Sequence, residues 1–76
     1  MFAELDTVVL NRDIEEHGLR QGDMGAIVNT YNSGEAFEVE FVTGEGKTIA
    51  LLTLKKDDIR PMKQDEILHA RPVASA

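Results

Sequence analysis

The sequence predicts a small all-β domain of five short strands, and three observations carry that prediction. Ala36-Phe37-Glu38-Val39-Glu40-Phe41-Val42 alternates large apolar residues with carboxylates, the period-two signature of a strand with one buried face. Glycine-rich reversals recur at short intervals: Gly18 through Gly25, then Asn32-Ser33-Gly34-Glu35, then Thr43-Gly44-Glu45-Gly46. The 76 residues suffice for one domain only.

Val8-Val9-Leu10, β-branched and apolar between polar flanks, set a first strand over Thr7–Arg12. Asp13 to Gln21 is too short and too glycine-ended for a helix. It reads as a long excursion loop, with Ile14 and Leu19 folded back as plugs on the end of a barrel. Gly22 and Gly25 then sit at the sharp reversal into the second strand, Met24–Tyr31, and at least one of them is expected at positive φ. Ala26, Ile27 and Val28 are all apolar, so alternation leaves the facing of this strand open; Val28 is assigned to the core.

Gly34 suits the left-handed position of a short hairpin loop. In the third strand Phe37, Val39 and Phe41 point inward, Glu38 and Glu40 outward, and Val8, Val28 and Ile59 complete the expected core. The fourth strand, Lys47–Leu54, carries two apolar phases: Ile49 with Leu51, and Ala50 with Leu52 and Leu54. That requires either a β-bulge or a strand apolar on both faces. Lys55–Asp58 reads as one 3₁₀ turn and Ile59–Met62 as a short last strand, where Pro61 is tolerated only at an edge or an end. Residues 63–76 change character. Gln64 to Ala70 has the composition for two helical turns that Pro72 stops, so a mobile tail or short helix is expected beyond the domain of residues 1–62, dispensable for folding. Together these elements describe a five-stranded SH3-like barrel with a long first loop and a C-terminal tail. An OB-like barrel is the alternative, but it usually needs a longer chain and a central helix.

Charge narrows the partners. Residues 1–46 hold ten carboxylates against Arg12 and Arg20, a net −8, whereas residues 47–76 hold six basic and four acidic residues, a net +2. Nucleic-acid affinity rests on neutralising phosphates, which most of this chain would repel. Met1-Phe2-Ala3 leads into Glu4 and Asp6 without a basic segment or a long apolar stretch, and Ile49-Ala50-Leu51-Leu52 is far too short to span a bilayer. A cytoplasmic chain with no membrane partner is expected. Without cysteine there are no disulfides and no thiolate zinc site, so apolar packing must hold the fold, helped by a partner or a second copy.

Several clusters bear on chemistry. Glu15-Glu16-His17 groups two carboxylates and an imidazole, but adjacent loop residues rarely converge on one ion, and His69 lies far along the chain. Glu38 and Glu40 share one strand face, where paired carboxylates usually solubilise rather than catalyse. Asp57 and Asp58 suit the capping of a short turn. Three Phe and one Tyr, with Phe37 and Phe41 inward, cannot line an aromatic groove for polyproline ligands. No serine sits in a nucleophile elbow. No enzyme, cofactor or metal site is expected.

The run Glu4-Leu5-Asp6-Thr7-Val8-Val9-Leu10, then His17-Gly18-Leu19-Arg20-Gln21-Gly22-Asp23-Met24-Gly25-Ala26-Ile27-Val28, resembles the small bacterial family known as domain of unknown function 4926. The likeness continues through Phe37-Glu38-Val39-Glu40-Phe41, Thr53-Leu54 and Asp57-Asp58-Ile59-Arg60-Pro61, and so spans about residues 4–62. The resemblance implies small, free-standing bacterial chains, some encoded beside candidate toxin partners, and it supplies no catalytic residue.

The function expected is therefore a non-catalytic protein-binding module, a regulatory or antitoxin-like partner of a neighbouring gene product. Glu15, Glu16, Glu38, Glu40 and Leu51 are its candidate contact residues, and a protein with a basic surface is its partner. The alternative is a structural or self-associating subunit that uses the two-sided fourth strand.

Overall fold

The structure is a computed structural model and describes residues 2–73. Five strands form: β1 (Thr7–Leu10), β2 (Met24–Tyr31), β3 (Ala36–Val42), β4 (Thr48–Lys55) and β5 (Ile59–Pro61). Two single 3₁₀ turns, Glu15–His17 and Lys56–Asp58, and a tight turn at Asn32–Gly34 with Ser33 at φ 56° and Gly34 at φ 93° interrupt the connections. Every ladder is antiparallel and the spatial order is β4-β3-β2-β1-β5. Among the described residues no ladder joins β4 to β5, so the sheet is open. The all-β class and the five strands stand, whereas the closed barrel expected from the sequence is not formed by hydrogen-bonded ladders. Pro61 lies on the edge strand β5 opposite Val8, where a missing N–H is least costly.

The core follows the alternation of β3. Phe37, Val39 and Phe41 are buried together with Val8, Leu10, Ile27, Ala50, Leu54 and Ile59. Ile14 and Leu19 bridge each other across the first loop and join that cluster, which makes them the plugs the sequence suggested. Phe2 adds an edge-on contact to Phe37, with ring centroids 5.2 Å apart.

The facing of β2 differs from expectation. Ile27, not Val28, enters the core: Ile27 is 0% exposed and Val28 37%. The cause is a bulge. Ile27 pairs with Val39 and Asn29 with Glu38, so Val28 is an extra residue on β2 and is displaced from the inward phase. A second bulge resolves the double phase of β4. Phe41 pairs with Ala50 and Val42 with Thr48, which leaves Ile49 as the extra residue, half-buried against the core. Ala50, Leu52 and Leu54 take the inner phase, and Leu51 is turned outward, 51% exposed.

Gly22 and Gly25 serve the reversal in different ways. Gly22 has φ +96°, a conformation side chains rarely adopt, with open space around it. At Gly25 a Cβ would stand 2.7 Å from Val39 Cγ1, 2.9 Å from Phe41 Cε1 and 3.0 Å from the Glu40 carbonyl oxygen, so only glycine lets β2 approach β3 there. The first reversal is further pinned by Asp13, whose carboxylate accepts the Gln21 N–H at 2.8 Å.

Residues 62–73 contain no helix or strand. Two arginine–carboxylate pairs lie along this segment, Arg60 with Glu66 and Arg71 with Asp23; the remaining positions of the expected tail, 74–76, lie outside the described residues. No helix among the described residues is long and apolar enough to cross a membrane.

Candidate protein-interaction surfaces

The outer face of β2–β4 brings three of the five candidate contact residues together. Glu40 lies between Ala26 on β2 and Leu51 on β4, and Glu38 lies between Asn29 and Thr53. Side chains in register on one side of a ladder are close neighbours, so Glu40 and Leu51 meet across the strands. Neither glutamate stands free in water as expected. Both are half-buried: the Tyr31 hydroxyl donates to Glu38 Oε1 at 3.1 Å and the Thr48 hydroxyl to Glu40 Oε2 at 2.6 Å. These hydroxyls fix the carboxylates without neutralising them. Apolar groups are half-exposed on these strands: Tyr31, Val42 and Leu51 are 38%, 52% and 51% exposed, and Val28, on the β2 bulge, 37%. Beyond Leu51 runs the outer edge of β4, which pairs with no strand among the described residues.

Glu15 and Glu16 are elsewhere. They occupy the exposed 3₁₀ turn Glu15–His17 of the first loop, closed by Gly18 at φ 69°. Among the described residues no group of three or more His, Cys, Asp or Glu is placed to hold a metal ion.

The charge distribution is sharper than the sequence alone conveys. Four cations are paired: Arg12 with Asp58, Lys56 with Glu35, Arg60 with Glu66 and Arg71 with Asp23. Among the described residues this leaves ten carboxylates against Arg20, Lys47, Lys55 and Lys63 outside such pairs, so the unpaired charge is predominantly negative.

A second surface, at the end of the sheet, was invisible to sequence reasoning. The Arg71 guanidinium donates to both oxygens of Asp23, from Nε at 2.9 Å and Nη2 at 2.5 Å, and from Nη2 to the Gly18 carbonyl at 2.9 Å. Asp23 also accepts the Arg20 backbone N–H at 2.8 Å. Partial burial would raise the Asp23 carboxyl, but the hydrogen bonds from Arg71 and the Arg20 backbone, with both guanidinium charges, outweigh it and hold the group below its ordinary range. Beside this contact the first loop, the β3–β4 turn and residues 69–73 border an open hollow of about 610 Å³, with Leu19, Met24, Phe41 and Ile49 among its apolar walls. No local sequence pattern pairs residues 48 apart, so the Arg71–Asp23 contact leaves no signal in the sequence.

Two further clamps stabilise the frame of these surfaces. Arg60 grips Glu66 with Nη1 and Nη2 at 2.7 and 2.6 Å, and with the Lys63 backbone N–H this draws the Glu66 carboxyl down to about 2. Asp58, hydrogen-bonded by Arg12 and by the Lys55 backbone N–H, is likewise held low despite some desolvation.

A family model described as a domain of unknown function, DUF4926, matches residues 4–61. No curated protein and no solved structure matches the chain.

Proposed function

This chain belongs to the DUF4926 family, and from that premise we propose that it is a non-catalytic protein-binding module whose contact face is the outer side of β2–β4. The observation that carries the reading is the juxtaposition of Glu38 and Glu40, held by the hydroxyls of Tyr31 and Thr48, with half-exposed Val28, Val42 and Leu51. A patch of apolar groups threaded with oriented carboxylates suits a partner that offers basic side chains around an apolar centre. The strand order, the long first loop and the 3₁₀ turn before β5 support an SH3-like arrangement for the sheet that carries the face. The partner is a protein with a positive surface, encountered in the cytoplasm, and the relationship is regulatory or antitoxin-like toward a neighbouring gene product. Neither nucleic acid nor membrane is a partner on this reading, and no cofactor takes part.

The test is to capture the partner on the native chain and repeat the capture with Glu38→Lys plus Glu40→Lys. Loss of capture with an unchanged circular dichroism spectrum supports the face; undiminished capture removes it. A second reading, self-association, rests on one observation, the unpaired outer edge of β4. Sedimentation of the native chain separates the two: a concentration-dependent dimer broken by Leu51→Lys favours self-association, and a monomer favours the heterologous partner.

A further inference from the structure

We propose that the acceptor cluster of Asp23 and Gly18, at the rim of the hollow, is a receptor for an arginine side chain of a partner protein, and that the chain's own Arg71 occupies it as an intramolecular stand-in. Three acceptors converge there on one guanidinium, namely both Asp23 oxygens and the Gly18 carbonyl. A planar fork of N–H donors meets that arrangement, and the point charge of a lysine does not. Contacts other than those of Arg71 also position the acceptors. The Arg20 backbone N–H orients Asp23, Gly18 is fixed in the left-handed conformation that closes the Glu15–His17 turn, and the Gln21 N–H anchored on Asp13 holds the loop between them.

Beside the acceptors lies an apolar wall of Leu19, Met24, Phe41 and Ile49, against which the chain's own Pro72 and Val73 follow Arg71. The site therefore reads an arginine followed by apolar residues. Its present occupant is easily displaced in physical terms. Arg71 belongs to a segment with no helix or strand of its own, and such segments open at lower free-energy cost than paired strands. The net −8 carried by residues 1–46 favours approach of a cationic competitor. A partner arginine thus competes with Arg71, and binding is coupled to release of residues 69–73. Val42 borders both surfaces, but none of Glu38, Glu40 and Leu51 lines this hollow, so variants at Glu38 and Glu40 test the β2–β4 face and variants at Asp23 and Arg71 test this site.

The experiment uses the full chain and the peptide acetyl-Ala-Arg-Pro-Val-amide, with its Arg-to-Gln counterpart as control, followed by backbone amide shifts. In Arg71→Gln the peptide should bind at least about tenfold more tightly than in the native chain, because the internal competitor is gone. Shifts should centre on Gly18 to Met24, the control peptide should not bind, and Asp23→Asn added to Arg71→Gln should abolish binding. Equal affinity in native and Arg71→Gln chains, or equal binding of the two peptides, overturns the proposal. Should Arg71→Gln fail to fold, the native chain still decides. Saturating peptide must then move the Arg71 Nε–H resonance toward its solvent-exposed position, and a resonance that stays put overturns the proposal.

Discussion

Glu40 and Leu51 stand directly opposite each other on β3 and β4, which places a hydrogen-bonded carboxylate and a half-exposed isobutyl group at one spot on the outer face of the sheet. An acidic strand residue with no apolar neighbour would read as a solubilising charge. Here the Thr48 hydroxyl holds the carboxylate in place beside uncovered apolar surface, and on the proposed reading that combination is what a protein partner meets.

The core beneath this face rests on β3. Phe41 is 2% exposed, and Phe41→Ala should cost about 3–5 kcal/mol. That is most of the stability of a small domain, so the urea midpoint should fall steeply. A slight shift would contradict the facing of β3.

The bulge in β2 makes an unequal pair of neighbours. Ile27→Ala should cost about 2–5 kcal/mol, and Val28→Ala, on the displaced outer residue, less than about 1 kcal/mol. Equal losses in chemical denaturation would mean that the register slips in solution.

Gly25→Ala should destabilise more than Gly22→Ala. The first meets Val39, Phe41 and the Glu40 carbonyl at once, whereas the second incurs only a left-handed backbone cost of roughly 1–2 kcal/mol. Thermal midpoints of the two variants give the order directly.

Acid should loosen the arginine clamps. The Glu66 carboxyl lies at about 2 against an ordinary 4.5, and Asp23 and Asp58 are also lowered. A carboxyl lowered by folding stabilises the native state above its unfolded pKa, and the contribution is lost as pH falls through the folded one. The stability difference between the native chain and Arg60→Gln should therefore be constant above about pH 5 and shrink between about 4.5 and 2. A difference that grows on acidification would have the wrong sign.

How much of this was legible in the sequence depends on the range of each interaction. β3 was readable because Phe37, Val39 and Phe41 keep strict period two, and the plugs Ile14 and Leu19 because a loop otherwise polar carries two isolated apolar residues. Ile27 and Val28 were not, since Ala26, Ile27 and Val28 are all apolar and alternation within β2 cannot place its bulge, whereas in β4 the two apolar phases marked one. Glu38 and Glu40 were placed on the right face but read as free charges, because their hydroxyl partners Tyr31 and Thr48 come from other strands. Arg71 was hidden altogether. Its acceptors are Asp23 and Gly18, and only the folded chain brings residues 71 and 23 together.

The most direct measurement is the association rate of the captured basic partner with the native chain and with Glu38→Lys plus Glu40→Lys, across a salt series. A face that works through oriented carboxylates predicts that the double variant associates at least about tenfold more slowly at low salt. The native rate should fall with salt toward the variant's, since exposed charges are screened within about 10 Å at 0.1 M. Equal rates for both chains, insensitive to salt, would contradict the account.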